Sequence, residues 1–394
     1  MGPLDTPVEI AGCRLHEVAV PLREPFRISG GTLRTRRSLI VELTDGTRAV
    51  GFGESAPFEA PFYSEETLAS AEACIVQHLF PRMAGRSFGS LEAATRALEQ
   101  GVRGNRIARA GVETALWDLV CAKAGVPLRA LLAAAMERLG VGEPMRASRG
   151  HAESGVALGI PEDGGVERLA ADAVAAIRAG YRRVKLKVMP GWDVAAVRAV
   201  RDAARRTGRE VPLWADANGA YARDADMPAL RALDREQLVM LEQPLRPEDV
   251  AGTLQLAREL KTPICLDESL TDDRAAQLFL EFQGPRIWNI KVQRVGGLWE
   301  SLRIYKRAVE AGVQLWAGSM PETGVGMHAV VCLASFAGFV YPTDAEPSER
   351  WYAPGADLVE WRMSGEGTIA VSDVTGLWKL GLKDRLARVG RVVA

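Results

Sequence analysis

Apolar and polar positions alternate from residue 8 to residue 54, through VEIAGCRLHEVAV, RSLIVELTDG and RAVGFGES. That period of two predicts half-buried strands, and TDG between the second and third runs suits a hairpin turn. Over 64–125 the period becomes helical, in SEETLASAEACIVQHLF and NRIARAGVETALWDLVCAKAG, with Gly125 placed to end the second helix. Strands followed by helices make an α+β module. The stretch 139–155 reads as a loop-like linker. From Gly155 onward, apolar runs and helical segments alternate strictly. GVALGI is strand one, GVERLAADAVAAIRAG its helix and RRVKLKV strand two; VQLWAG at 313–318 is strand seven and FVYP at 339–342 an eighth. Repeated units of this kind predict a parallel sheet closed on itself. The expected fold is α/β: a modified (β/α)8 TIM barrel preceded by an α+β domain. The tail, with TIAVS as a strand-like piece, is expected to pack back on the first module. The expected divisions are 1–145, 146–342 and 343–394.

Five strand-like runs end in a charged residue: RVKLK at Lys187, PLWAD at Asp216, QLVMLE at Glu242, PICLD at Asp267 and RIWNIK at Lys291. Successive members lie 24 to 29 residues apart. A strand, turn, helix and return loop use about 25–30 residues. Each charge therefore falls at the carboxyl end of its strand, where barrel enzymes build active sites. A single polar residue closing a buried strand is ordinary; five in phase, ordered Lys–acid–acid–acid–Lys, form a constellation.

Composition narrows the chemistry. A net charge of −1 over 394 residues, with no basic run, argues against nucleic-acid or anionic-membrane partners. The start, MGPLDTPVEI, lacks a secretory signal pattern, and the apolar stretch from Ala329 to Tyr341 is too short to span a bilayer, so a cytoplasmic protein is expected. Five cysteines, scattered and never CxxC, read as small buried hydrophobes in a reducing compartment. Four histidines form no cluster, which argues against zinc and for a hard ion held by oxygen.

Asp216, Glu242 and Asp267 come from neighbouring strands three, four and five and would converge on one point. Three carboxylates with open positions suit octahedral Mg²⁺, with Mn²⁺ as a substitute. Helix capping is the alternative for the aspartates, but Glu242, followed by Gln243-Pro244, is a poor cap. Lys185 and Lys187, two apart, share one face of strand two; Asp216 with Asn218, and Asn289 with Lys291, repeat that spacing. Inward lysines are costly unless held by charge or function. A neutral cluster built for stability is the other reading, although such clusters seldom better an apolar core. Strands two and six lie opposite each other in an eight-strand barrel, which sets Lys187 against Lys291 across the mouth. A carboxylate substrate on the metal would offer the two faces of its α-carbon to the two lysines. That arrangement suits α-proton removal, with the metal stabilising the enediolate. A lysine base near pH 7 needs its pKa lowered by roughly 3 units, about 4 kcal/mol. Lys185, Arg294 and the metal are the cations expected to supply that shift.

The motifs KLK (185–187), DAN (216–218), EQP (242–244), DES (267–269) and NIK (289–291) resemble the enolase superfamily, muconate-lactonizing-enzyme subgroup. KLKVMPGWD, NIKVQRVGG and GSMPETGVG are similar to the o-succinylbenzoate synthases and N-succinylamino acid racemases, and GESAPFEAPFYSEE and ARAGVETALWDL extend the likeness into the first module. The resemblance implies a capping role for that module, completed by the C-terminal tail. It implies Lys187 as acid/base on one face, and Lys291 as second base or electrostatic stabiliser. Asp216, Glu242 and Asp267 become Mg²⁺ ligands, supported by Lys185, Asn218, Glu268 and Arg294. Ser319 and Met320, through backbone N–H groups, and Glu322 beside them would meet the substrate, with Ser29 and the segment from Pro57 to Tyr63 closing over its distal part.

Three departures fall where substrate identity is decided. Gly318-Ser319-Met320 stands for the usual GGM, Met327-His328-Ala329-Val330 for Arg-Ala-His-Asn, and Ala157 for a first-strand serine. The implied activity is a Mg²⁺-dependent carbon–oxygen lyase, o-succinylbenzoate synthase of menaquinone biosynthesis, with N-succinylamino acid racemase activity in the same site. A dedicated racemase, a cycloisomerase, a dipeptide epimerase and a non-catalytic binding barrel are the alternatives. The expected partners are a small carboxylate and further copies of the chain.

Overall fold

The computed structural model describes residues 2–394. Strands β1 (Val8–Arg27), β2 (Thr32–Asp45) and β3 (Val50–Ser55) form an antiparallel sheet, extended by β4 (Arg86–Phe88) against β1. The TDG hairpin forms as expected: Asp45 Oδ1 accepts from the N–H groups of Thr47 and Ala49, both at 2.9 Å, and tightens the turn. The first predicted helix is broken into 68–74, a π turn at 75–79 and 80–83, next to Pro81, which has no N–H to give. The second runs Arg106–Ala124 and stops at Gly125, whose φ of 67° is left-handed.

The linker is not all loop. Its end forms β5 (His151–Glu153), followed by the first barrel strand β6 (Val156–Leu158). Then come β7 (Val184–Lys187), β8 (Leu213–Asp216), β9 (Leu241–Glu242), β10 (Ile264–Leu266), β11 (Ile287–Ile290) and β12 (Gln314–Ala317), all parallel neighbours in chain order. The eighth strand expected at 339–342 does not form. Pro342 removes a ladder donor there, so the segment crosses the gap with single bonds. Val340 N–H donates to Leu315 O at 2.9 Å, Asp344 N–H to Ala317 O at 3.1 Å, and Thr343 bonds Glu153 and Gly155 beside β6. A curled seven-strand sheet with an irregular eighth position results.

TIAVS contributes β13 (Thr368–Ala370), which pairs with β5 and not with the first sheet; β14 (Gly390–Val392) pairs with β1. One apolar cluster runs from the first sheet through the 106–124 helix to the helices behind β11 and β12, with Trp117 and Trp299 5.7 Å apart across it. That helix is therefore buried almost all round. Among the described residues no single helix is long and apolar enough to cross a membrane; the bent pair 106–124 and 128–138 meets the test only in combination.

Candidate active site

Alternation along β7 turns Arg183, Lys185 and Lys187 into the barrel, at successive heights. Arg183 lies deepest, its guanidinium 4.5 Å from the ring centroid of Trp214 and 5.5 Å from that of Trp316. The ends of β8 and β9 and the residue after β10 bring Asp216, Glu242 and Asp267 together, fully buried, with one oxygen from each within 4.8 Å of the others. The lysines flank this triad. Lys187 Nζ lies 2.5 Å from Asp216 Oδ2 and 2.8 Å from Asn218 Oδ1. Lys291 Nζ lies 2.8 Å from Asp267 Oδ2 and 3.0 Å from the Tyr63 hydroxyl. Lys185 Nζ reaches Glu242 at 3.3 Å and Asp216 at 3.5 Å.

The surroundings hold these groups in place. Asn218 donates to Glu268 Oε1 at 2.9 Å, and Asn289 donates to Glu242 Oε1 at 2.9 Å. Gln243 accepts the N–H groups of Asp267 and Ser269, both at 3.1 Å. Asn218 and Gln243 have positive φ, of 46° and 36°, directly beyond the strand ends. Such backbone persists where its surroundings fix it, as at active sites.

Without a bound cation, carboxylates dominate the electrostatics at Lys291 and Lys185. Burial works against the charge on Lys291, but Asp267 outweighs it and the amine is held well above the ordinary lysine range. Lys185 is likewise raised: burial opposes its charge, and Asp344, Glu242 and Asp216 outweigh burial. Arg294 lowers Lys291, as expected of a neighbouring cation, but is outweighed; it also bonds the same Asp267 carboxylate. At both amines the neighbouring acids outweigh the neighbouring arginines. Burial and then the Asp216 charge push the Glu242 carboxyl up to about 8, and burial with Asp267 pushes Glu268 to about 8. Glu242 Oε2 has no hydrogen-bond partner. A buried acid oxygen with no hydrogen bond and only the Lys185 ammonium 3.3 Å away, beside two more carboxylates, fits a divalent cation.

Ser29 donates to Ala217 O at 3.0 Å and, with Glu268 and Arg294, lines an open cleft of about 1130 Å³. Behind it a cavity of about 40 Å³ is bounded by Lys187, Lys291, Tyr63, Ser319 and Met320. Two sequence candidates lie aside from that cavity. Glu322 turns back to accept the N–H of Met320 at 2.8 Å, so that amide is already engaged. The Pro57 carbonyl accepts from Arg36 at 2.7 Å.

Sequence reasoning missed Asp344, which bonds both Arg183 and Lys185, although it follows the eighth apolar run just as the other acids follow theirs. It also missed Arg36, fully buried on β2, which ties Pro57 in the first domain to Met320 O at 3.4 Å in the barrel. An arginine within an alternating strand gave no signal of that.

Residues 168–377 match the family described as enolase C-terminal domain-like, and residues 10–133 match the mandelate racemase / muconate lactonizing enzyme N-terminal domain. The chain is 36% identical over 386 residues to the N-succinylamino acid racemase of Thermus thermophilus, covering 98% of this chain and 97% of that one. It is 34% identical over 370 residues to the o-succinylbenzoate synthase of Bacillus subtilis, covering 94% of each. A solved member of the enolase superfamily from Listeria innocua superposes with a TM-score of 0.85 at 32% identity, over 98% of each chain. With both domain types matched along one chain and this strand-end constellation between them, the protein belongs to the enolase superfamily, in its mandelate racemase and muconate-lactonizing branch.

Proposed function

We propose that this chain removes the proton α to a carboxylate, acting as an o-succinylbenzoate synthase with N-succinylamino acid racemase activity in the same site. The observation that carries the reading is the order along one sheet: Lys187 on β7, the triad on β8, β9 and after β10, and Lys291 after β11. Asp216, Glu242 and Asp267 would hold Mg²⁺, which supplies Lewis-acid stabilisation of the enediolate charge when bound.

The remaining work falls to protein groups. Lys187 Nζ, fixed by Asp216 and Asn218, is positioned to carry a proton on one side of the substrate. Lys291 Nζ, fixed by Asp267 and Tyr63, is positioned on the other. In dehydration Lys187 takes the α-proton and returns it to the departing hydroxyl, which leaves as water. In racemisation one lysine takes the proton while the other delivers one to the opposite face. Tyr63, Phe58 and Met320 close the cavity against water.

Deuterium incorporation tests the reading. Purified protein with Mg²⁺ in D₂O is given L- and D-N-succinylphenylalanine separately, and the synthase substrate in parallel. Exchange with inversion of both enantiomers, together with formation of o-succinylbenzoate, is the expected result. Product without exchange would assign the lyase alone, and silence in both assays would overturn the reading.

A further inference from the structure

Of the three lysines around the triad, two donate to its carboxylates: Lys187 to Asp216 and Lys291 to Asp267. Lys185 turns elsewhere. Its Nζ donates to Asp344 Oδ2 at 2.7 Å, while Glu242 Oε2 at 3.3 Å and Asp216 Oδ2 at 3.5 Å are its more distant ion-pair neighbours. Glu242 Oε2 accepts no hydrogen bond, although a charged donor stands this close to it.

The fold keeps Asp344 where it can draw the lysine aside. Asp344 stands in the gap between β12 and β6, where its N–H donates to Ala317 O at 3.1 Å and the preceding carbonyl, of Thr343, accepts from Gly155 N–H at 2.9 Å. Its other oxygen takes the guanidinium of Arg183, which is fully buried and also donates to Val156 O at 2.7 Å. The Lys185 ammonium rests 4.6 Å from the ring centroid of Trp316. Glu346, two residues beyond Asp344, is engaged by Arg350 at 3.3 Å and by the Ala157 N–H at 2.9 Å. Among the described residues Asp344 is the one acid outside the triad paired with Lys185.

A lysine carries a compact charge on a flexible stem, and a buried one is almost never left unpaired. With Asp344 neutralised, the acids within reach are Glu242 and Asp216. A small swing of the stem then sets the ammonium on Glu242 Oε2, the triad oxygen that has no donor. A lysine bonded there and a divalent cation would compete for the same lone pair.

We propose that Asp344 is a positioning residue that draws Lys185 off the triad and so keeps Glu242 Oε2 open to the cation. This goes beyond the reaction proposed above and rests on its assignment of the triad to Mg²⁺. A purely structural role for the Arg183–Asp344–Lys185 cluster would show in unfolding, and not as a dependence of cation affinity on Lys185.

The test is a double-mutant cycle on Mg²⁺ affinity, read by calorimetry at pH 9, where Glu242 is ionised. Asp344→Asn keeps the volume but offers one acceptor oxygen, which cannot serve Arg183 and Lys185 together. It is expected to weaken Mg²⁺ binding by at least about tenfold. In a Lys185→Met background there is no ammonium to swing, and the same substitution should weaken binding by less than about threefold. Losses that agree within about threefold in the two backgrounds mean that Asp344 acts by its field alone or not at all, and overturn the proposal. If Asp344→Asn does not fold, the same cycle is run in Arg183→Met protein, where no guanidinium is left stranded, and is judged in the same way. Wild-type protein that takes up no Mg²⁺ would overturn the triad assignment and this proposal together. A failed cycle with wild-type binding intact overturns this proposal alone.

Discussion

Asp267 is shared between two buried cations: Lys291 Nζ lies 2.8 Å from its Oδ2, and the Arg294 guanidinium bonds its Oδ1. Burial opposes the carboxylate charge, but the two cations outweigh it and hold the group down at about 2. Asp267→Asn leaves both cations without their counter-charge in a desolvated site, which costs about 3–5 kcal/mol. Removing Lys291 as well, in Asp267→Asn/Lys291→Met, removes one of the stranded charges. The double variant is therefore expected to be more stable than the single one by at least about 1 kcal/mol. Urea unfolding in chelator measures this; equal midpoints for the two would contradict it.

Metal binding should release protons. Without a cation, burial and Asp216 hold the Glu242 carboxyl at about 8, so it carries a proton at pH 7, whereas a ligand must be ionised. Mg²⁺ affinity should climb with pH up to about 8 and level off above it. Calorimetry at pH 7 in buffers of different ionisation heat should report about one proton released per ion, falling toward none at pH 9. Glu242→Gln should abolish the pH dependence. An affinity flat from pH 6 to 8 in the unmodified protein would contradict the assignment.

Much of this was legible in the chain because period and phase were strong. Strands of alternating or wholly apolar residues announced themselves, and five charges at one phase located the mouth of the barrel. What failed to show was non-local or irregular. The β5–β13 pair joins three-residue segments some 215 residues apart and leaves no local pattern. The eighth position carries Pro342, so Asp344 and Glu346 did not stand at the end of a clean strand. Glu322 lies in a turn, where the side-chain direction that alternation supplies on a strand is lost. For Lys291 the sequence shows the charges near the amine but not their balance, and without a bound cation the acid prevails. Lys291 is 2.8 Å from an acid, and that decides it.

Contact between β3 and the 106–124 helix depends on missing side chains. A Cβ on Gly53 would lie 2.2 Å from Gly111 O and 2.5 Å from Ala115 N, both backbone atoms that cannot swing aside. Gly53→Ala should destabilise the protein by about 3 kcal/mol or more, through forced separation of sheet and helix. Gly89→Ala, where a Cβ meets nothing within 4 Å, is the control and should change stability by less than about 0.5 kcal/mol. Thermal unfolding of the pair is the measurement, and two equal shifts would show that the contact has slack.

His328 gives the fold an acid-sensitive point away from the triad. It lies on the buried 324–334 helix, 3% exposed, stacked on Trp361 with centroids 5.9 Å apart, and its Nε2 has no partner. Burial pushes its pKa down to about 4, against about 6.5 when unfolded. The depressed value fixes the sign: above pH 6.5 the imidazole is neutral in both states and nothing is lost. As pH falls toward 4 the unfolded chain binds a proton that the folded chain refuses, so stability declines by up to about 3 kcal/mol. Glu113 and Asp118, whose carboxyls burial pushes up to about 7, act in the opposite direction over much of this range. Their contribution is common to the wild type and to His328→Phe, so it cancels in the difference. The phenylalanine variant should therefore gain about 2–3 kcal/mol on the wild type between pH 7.5 and pH 4. Denaturant unfolding of both proteins across that interval reads the gap. Parallel stability curves would mean that the imidazole gains a proton in the folded state after all.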